Sequence, residues 1–273
     1  AMLHFVGYAT VGLIIGTFGT IIGVGGGFLL VPLLLWLYPT AEPEVLAGIS
    51  LTAVFFNAFS GSLAYARLKR IDYRSGLTFS LAALPGTILG SLSTTYIPRH
   101  LFDAVIGLLL LAASSYIVVR PNREKALRGG AVAGHTTVVL TDASGAQYRY
   151  AYNRRIGVGI SFFVGYFSSL LGIGGGVIHV PALIQILNFP VHIGTATSHF
   201  ILAVMTFAGS ATHIVIGTLA DSLRIILPIS LGMIVGAQIG ARLSGRVRGT
   251  WITRSLAVAL MLVGIRTLWQ AFK

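Results

Sequence analysis

Two glycine runs carry the chemistry this sequence offers. One reads Gly23-Val-Gly25-Gly26-Gly27-Phe28-Leu-Leu-Val31-Pro32; the other reads Gly172-Ile-Gly174-Gly175-Gly176-Val177-Ile-His179-Val180-Pro181. Each opens a short apolar segment. A helix starting there leaves its first N–H groups unpaired and carries about half a positive charge at that end. Glycine lets such amides close on an anion without side chains in the way. The expected cargo is a small anion, held by the amides of Gly25, Gly26, Gly27 and Phe28 and of Gly174, Gly175, Gly176 and Val177. A single run would be explained by a tight bend, and no Gly-Lys-Ser/Thr follows to make a phosphate loop. Its duplication favours a site.

Side chains come second. Ser50, Ser198 and His199 are the expected contacts from neighbouring segments, and Ser62 is matched to Ser210. His179, His213, Asn57 and Gln238 are candidates for proton coupling or for supporting the contacts, since histidine titrates near neutral pH. Serine and threonine in apolar helices usually satisfy backbone carbonyls. All seven acidic residues (Glu42, Glu44, Asp72, Asp103, Glu124, Asp142, Asp221) fall in loops or at segment ends. A cation carrier places a carboxylate in mid-membrane; none is placed there, which favours an anion. No metal site is expected. Ser198, Ser210, His199 and His213 could furnish a hydrolase, but Gly-x-Ser-x-Gly and His-Glu-x-x-His are absent, so catalytic residues are not expected.

The elements that must position these residues form two copies of one unit. The glycine runs match at an offset of 149, and Ser50, Phe59, Gly61 and Ser62 match Ser198, Phe207, Gly209 and Ser210 at 148. Gly86 and Gly90 are matched to Gly232 and Gly236, and Tyr65 to His213. Apolar segments are predicted at 4–22, 28–38, 45–66, 76–96 and 101–119, and again at 156–171, 177–188, 194–216, 223–241 and 252–270. The expected organisation is a first repeat at 1–119, a linker at 120–155 and a second repeat at 156–273. Within the linker, Thr137–Thr141 and Ala146–Tyr150 flank a turn signal and predict a β-hairpin over about 135–153, with Tyr148, Tyr150 and Tyr152 on one face. Segment 28–38 spans about 16 Å as a helix, half of a hydrocarbon core about 30 Å thick. The glycines should therefore sit near mid-membrane. Glycines four apart, such as Gly12/Gly16 and Gly86/Gly90, should let helix backbones touch.

Composition sets the class. Of 273 residues, 55% are hydrophobic and 10% charged, against about 25% charged in a soluble domain; the mean hydropathy is +0.86. A cytosolic enzyme is excluded, and an all-α polytopic membrane protein is expected. There are no cysteines, hence no disulfide or thiolate chemistry. The net charge of +12 would suggest nucleic acid in a soluble chain. Here 15 of the 19 Lys and Arg lie in loops 67–74, 120–155 and 242–254, so they mark cytoplasmic loops. Counting crossings from those loops inverts the two repeats relative to each other and places both termini outside. No cleavable signal peptide is expected.

The doubled Gly-x-Gly-Gly-Gly runs, each followed by Val-Pro, and the stretches at Gly48–Ser50 and Gly194–Ser198 resemble the TauE/SafE family of sulfite exporters and toluene-sulfonate uptake permeases. The resemblance covers both halves and leaves out the linker. It implies transport of sulfur-containing anions such as sulfite, sulfoacetate or another organosulfonate across a bacterial cytoplasmic membrane, in either direction. The expected function is a secondary transporter working by alternating access, with an anion channel as the alternative. No cofactor is expected. A small anion and the lipid bilayer are the expected partners, nucleic acid is not, and a homodimer is left open.

Overall fold

A computed structural model describes residues 2–119, 135–220 and 222–271. Arg120, Arg123, Lys125, Arg128, Glu124 and Asp221 lie outside the described residues. Ten helices and one hairpin follow in order: α1 Met2–Ile21, α2 Gly27–Leu37, α3 Pro43–Arg67, α4 Tyr73–Ser93, α5 Arg99–Val119, β1 Thr136–Thr141, β2 Gln147–Tyr152, α6 Arg154–Leu170, α7 Gly176–Pro181, α8 Val191–Val215, α9 Leu223–Ser244 and α10 Gly249–Ala271. A 3₁₀ turn, Thr94–Tyr96, extends α4, and a π turn, Ala182–Ile186, extends α7. Seven of the described helices are long and apolar enough to cross a membrane. The chain is an all-α polytopic membrane protein carrying one small antiparallel sheet.

Local signals explain the boundaries. Pro43 opens α3 behind an extended Glu42. The Asp72 side chain accepts from the Ser75 amide at 3.1 Å and caps α4. The Asn153 side chain does the same for α6. All ten predicted segments correspond to helices, with ends shifted by a few residues.

The two halves interlock. α1 packs on α9 and α6 packs on α4. A methyl group on Gly236 would strike the Leu13 carbonyl oxygen, and one on Gly86 would strike that of Phe162. Glycine is required because the backbones touch. These contacts also correct one match. Leu13 and Phe162 occupy equivalent places, 149 apart, so Gly86 pairs with Gly236 and Gly90 with Gly240, one turn beyond Gly232 and Gly236. At the centre of the molecule α3 packs on α8.

The basic loops gather at one end. Arg70 pairs with Asp142 at 3.3 Å, and the Ala143 amide donates to the Leu68 carbonyl at 3.0 Å. Gly245 lies against the Arg70 guanidinium and Gly249 against Val191. Tyr148, Tyr150 and Tyr152 share a face opposite Leu140, Val138 and Thr136. Tyr150 and Tyr152 are buried around Phe189, their rings 4.5 and 5.2 Å from its own. Burial pushes the Asp142 carboxyl up, but the Ser144 hydroxyl and amide, the Ala146 amide and Arg70 outweigh it and hold the group below the usual carboxylate range. This is the hairpin end; the opposite end holds Arg99, which donates to the carbonyls of Leu35 and Ala41.

Candidate functional site

Both glycine turns are buried, and they touch. A methyl on Gly27 would strike the Ile173 carbonyl, and one on Gly176 would strike the backbone of Val24. Gly25 and Gly174 both lie against Val54 and Leu202. Those two residues sit at the midpoints of α3 and α8, the 25-residue helices. The turns therefore meet at mid-height of the longest helices, not at either end. Gly23 abuts Thr195, and Gly172 abuts Ala47 in the matching way.

The donors differ from expectation at one residue. The Gly25 amide donates to the Gly19 carbonyl at 3.0 Å. The turn folds back so tightly on the end of α1 that this group is used internally. The amides of Gly26, Gly27 and Phe28, and of Gly174, Gly175, Gly176 and Val177, have no acceptor among the described residues. Ser198 lies between Thr195 and Leu202 on α8, which places it beside the first turn. Ser50 lies between Ala47 and Val54 on α3, beside the second. Both side chains are fully buried, and neither hydroxyl has a partner among the described residues. A buried hydroxyl without a partner is costly, and a small oxyanion would satisfy amides and hydroxyls together.

The other candidates divide. His199 lies beside the first turn, in a network: its Nε2 is 3.4 Å from the Thr20 hydroxyl, which donates to Asn57 Oδ1 at 3.2 Å. Asn57 donates to the carbonyls of Gly16 and Met233, and Tyr65 donates to that of Thr20. His179 stands one turn into the second half-helix, its Nε2 3.1 Å from the Ser161 hydroxyl. Its Nδ1 is unpartnered and lies 3.0 Å from where a methyl on Gly175 would sit. Gln238 donates to the Ser60 carbonyl and hydroxyl, joining α9 to α3. His213 is not brought to the centre. It bonds Thr218 at 3.2 Å, three turns past Leu202 and about 16 Å away by helix rise.

Thr20, Ser161, Thr87, Ser91 and Ser168 were not singled out from the sequence. Comparing the copies position by position would have found three of them. Ser168 stands where the first copy has Gly19, and Thr87 and Ser91 stand where the second has Ala237 and Ala241. No cluster of three His, Asp or Glu side chains able to hold a metal occurs among the described residues.

A family described as sulfite exporter TauE/SafE matches residues 8–267. The chain belongs to the TauE/SafE family. It is similar to the probable membrane transporter protein YunE of Bacillus subtilis, 29% identical over 98% of each chain. It is also similar to the probable membrane transporter protein MJ0441 of Methanocaldococcus jannaschii, 23% identical over 76% of this chain and 72% of that one. A probable membrane transporter protein of Xylella fastidiosa strain 9a5c is 30% identical over 68% of this chain and 64% of its own. No solved structure matches. The TauE/SafE match spans both glycine turns and all ten helices in whole or part. The chain is a membrane transporter and not an enzyme.

Proposed function

We propose that the protein carries a small sulfur-containing anion, such as sulfite, sulfoacetate or another organosulfonate, across the cytoplasmic membrane by alternating access. One observation carries this reading: two glycine turns meet at mid-height with unpartnered amides beside the buried hydroxyls of Ser50 and Ser198. A sulfonate brings three acceptor oxygens and one negative charge, which suits two sets of backbone donors. The described carboxylates lie at helix ends and loops, so none of them stands at the centre to repel an anion. The basic end of the molecule, with the hairpin, faces the cytoplasm in this reading, the termini face outward, and the two copies are inverted. The matching contacts of the two turns support a two-fold relation between them. An inside-negative potential drives one anionic charge outward by about 2.3 kcal/mol per 100 mV, so export needs no coupling ion and uptake does.

Purified protein tested against sulfite, sulfoacetate, thiosulfate, taurine, phosphate and acetate should gain thermal stability with the sulfur oxyanions. Proteoliposomes should then show saturable counterflow of the stabilising anion. Stabilisation by none of the sulfur anions, or single-channel currents in place of counterflow, would overturn the reading.

A further inference from the structure

The polar groups around the two turns are not equivalent. At the first turn, toward the hairpin end, the residues are Gly19 and Thr20 on α1, Asn57 on α3, His199 on α8, and Ala237 and Ala241 on α9. Their equivalents at the second turn, toward the opposite end, are Ser168, Ser169, Met205, Leu51, Thr87 and Ser91. The contacts confirm this equivalence. A methyl on Gly61 would meet His199 at 2.5 Å and Thr20 at 3.3 Å, and a methyl on Gly209 would meet Leu51 at 3.0, Ser91 at 3.3 and Ser169 at 3.7 Å.

The first set is bonded into the Thr20–Asn57–His199 network. The second is not. The hydroxyls of Thr87, Ser91 and Ser168 are buried and have no partner among the described residues; the matched pair Ser62 and Ser210 is buried and unpartnered on both sides and does not separate them. Hydroxyls in helices commonly bond the carbonyl four residues back; Ser80 and Thr94 on the same helix do so, to Gly76 and Gly90. Thr87 and Ser91 point elsewhere. Three buried hydroxyls left unpaired on this flank alone cost stability that alanine, present at two of the equivalent places, would not.

Resting on the reading of the turns as the central anion site, we infer that these hydroxyls form a second station. It lies between the C-terminal ends of α4 and α6, the second half of α8 and the first half of α3. Here a small oxyanion pauses between the centre and the end opposite the hairpin. Neutral hydroxyl donors suit transit, because they offer hydrogen bonds without a charge that would trap the anion. The corresponding space at the first turn is closed by the bonded network.

The natural absence of cysteine makes this testable. Single variants Thr87→Cys and Ser91→Cys, with Ala237→Cys and Ala241→Cys at the equivalent places, are treated in membranes with methanethiosulfonate ethylsulfonate, a small anionic thiol reagent. The α4 thiols should react at least about tenfold faster than the α9 thiols. After normalising to a free thiol, the anionic reagent should outpace its cationic ammonium analogue. Equal or faster labelling on α9, inert α4 thiols, or the reverse reagent order overturns the station. The two α4 variants guard against one of them failing to fold. Labelling needs no cargo, so the two readings fail separately. Labelling of α4 that phosphate or acetate slows and sulfoacetate does not supports the station and counts against the sulfonate reading alone; labelling that none of these anions slows overturns the station.

Discussion

The two glycine turns are copies of one sequence motif, yet each is finished differently. In the first, Gly26 takes a left-handed conformation (φ 86°) and α2 runs regularly for 11 residues. In the second, Gly175 is right-handed (φ −65°), and α7 gives way after six residues to a π turn. The residue behind each turn accounts for part of this. Gly19 has no side chain, and the Gly26 amide comes so close that even a methyl there would strike it. Ser168 stands at the equivalent place, where a side chain leaves less room for such an approach, and the second turn follows another path. The matching backbone contacts of the two turns set where their amides meet, while the side chains around them differ, bonded into a network beside the first and unpartnered beside the second.

The turns themselves offer the strongest way to break this comparison. Gly26→Ala adds a methyl 2.6 Å from Ile15 Cγ2 at a positive φ. The conformation costs about 1–2 kcal/mol, and the overpacking costs about 1–3 kcal/mol more. Gly175→Ala meets the flexible end of Met205 at 2.8 Å with an ordinary φ, and its cost should stay below about 1.5 kcal/mol. Thermal unfolding of the two variants in detergent should separate them clearly. Equal midpoints would show that the turns are energetically alike.

The flanks give a smaller contrast. Asn57→Ala strips partners from Thr20 and from the carbonyls of Gly16 and Met233, and should cost about 1–3 kcal/mol. Ser91→Ala removes a hydroxyl that bonds nothing, so the unfolding midpoint should hold or rise. If Ser91→Ala destabilises as much as Asn57→Ala, the hydroxyl has a structural role.

Much of this architecture is legible in the sequence, and the gaps have physical causes. Apolar length and duplication revealed ten helices and the half-length segments that bring Gly25 and Gly174 to mid-height, and two β-prone runs around a turn signal revealed the hairpin at Thr136–Tyr152. The pairing of Gly86 slipped by one turn because Gly232, Gly236 and Gly240 repeat every four residues, so a shift of one turn matches equally well. His213 was a candidate because it is a histidine inside an apolar segment, but its place near the end of α8 keeps it from the centre. The amide of Gly25 looked free because its acceptor, the Gly19 carbonyl, is recruited only when the turn closes. The partnerless hydroxyls were hidden for a different reason. A serine in a helix can always bond its own backbone, and only the fold shows which ones do not.

The smallest effect concerns the hairpin, which packs on the start of α4 and the start of α8. Tyr150 donates to Asp72 at 2.8 Å, and the Asp72 amide donates to the Thr197 hydroxyl at 3.0 Å, one residue before Ser198. The hairpin thereby ties the α3–α4 loop to the start of α8, and its turn is held by Asp142. Because the folded Asp142 pKa lies below its unfolded value of about 3.9, the stability it contributes is present above that value. It is lost as pH falls through the folded pKa. Amide exchange in β1 and β2 should therefore stay constant from pH 7 to about 4, after allowance for the intrinsic rate, and accelerate below that. Asp142→Asn should raise exchange at neutral pH and flatten the profile, while the second flank, far from the hairpin, should not respond. A matching acceleration around Ser91 would mean that the two flanks are coupled through the hairpin and that the closed side does not stand alone.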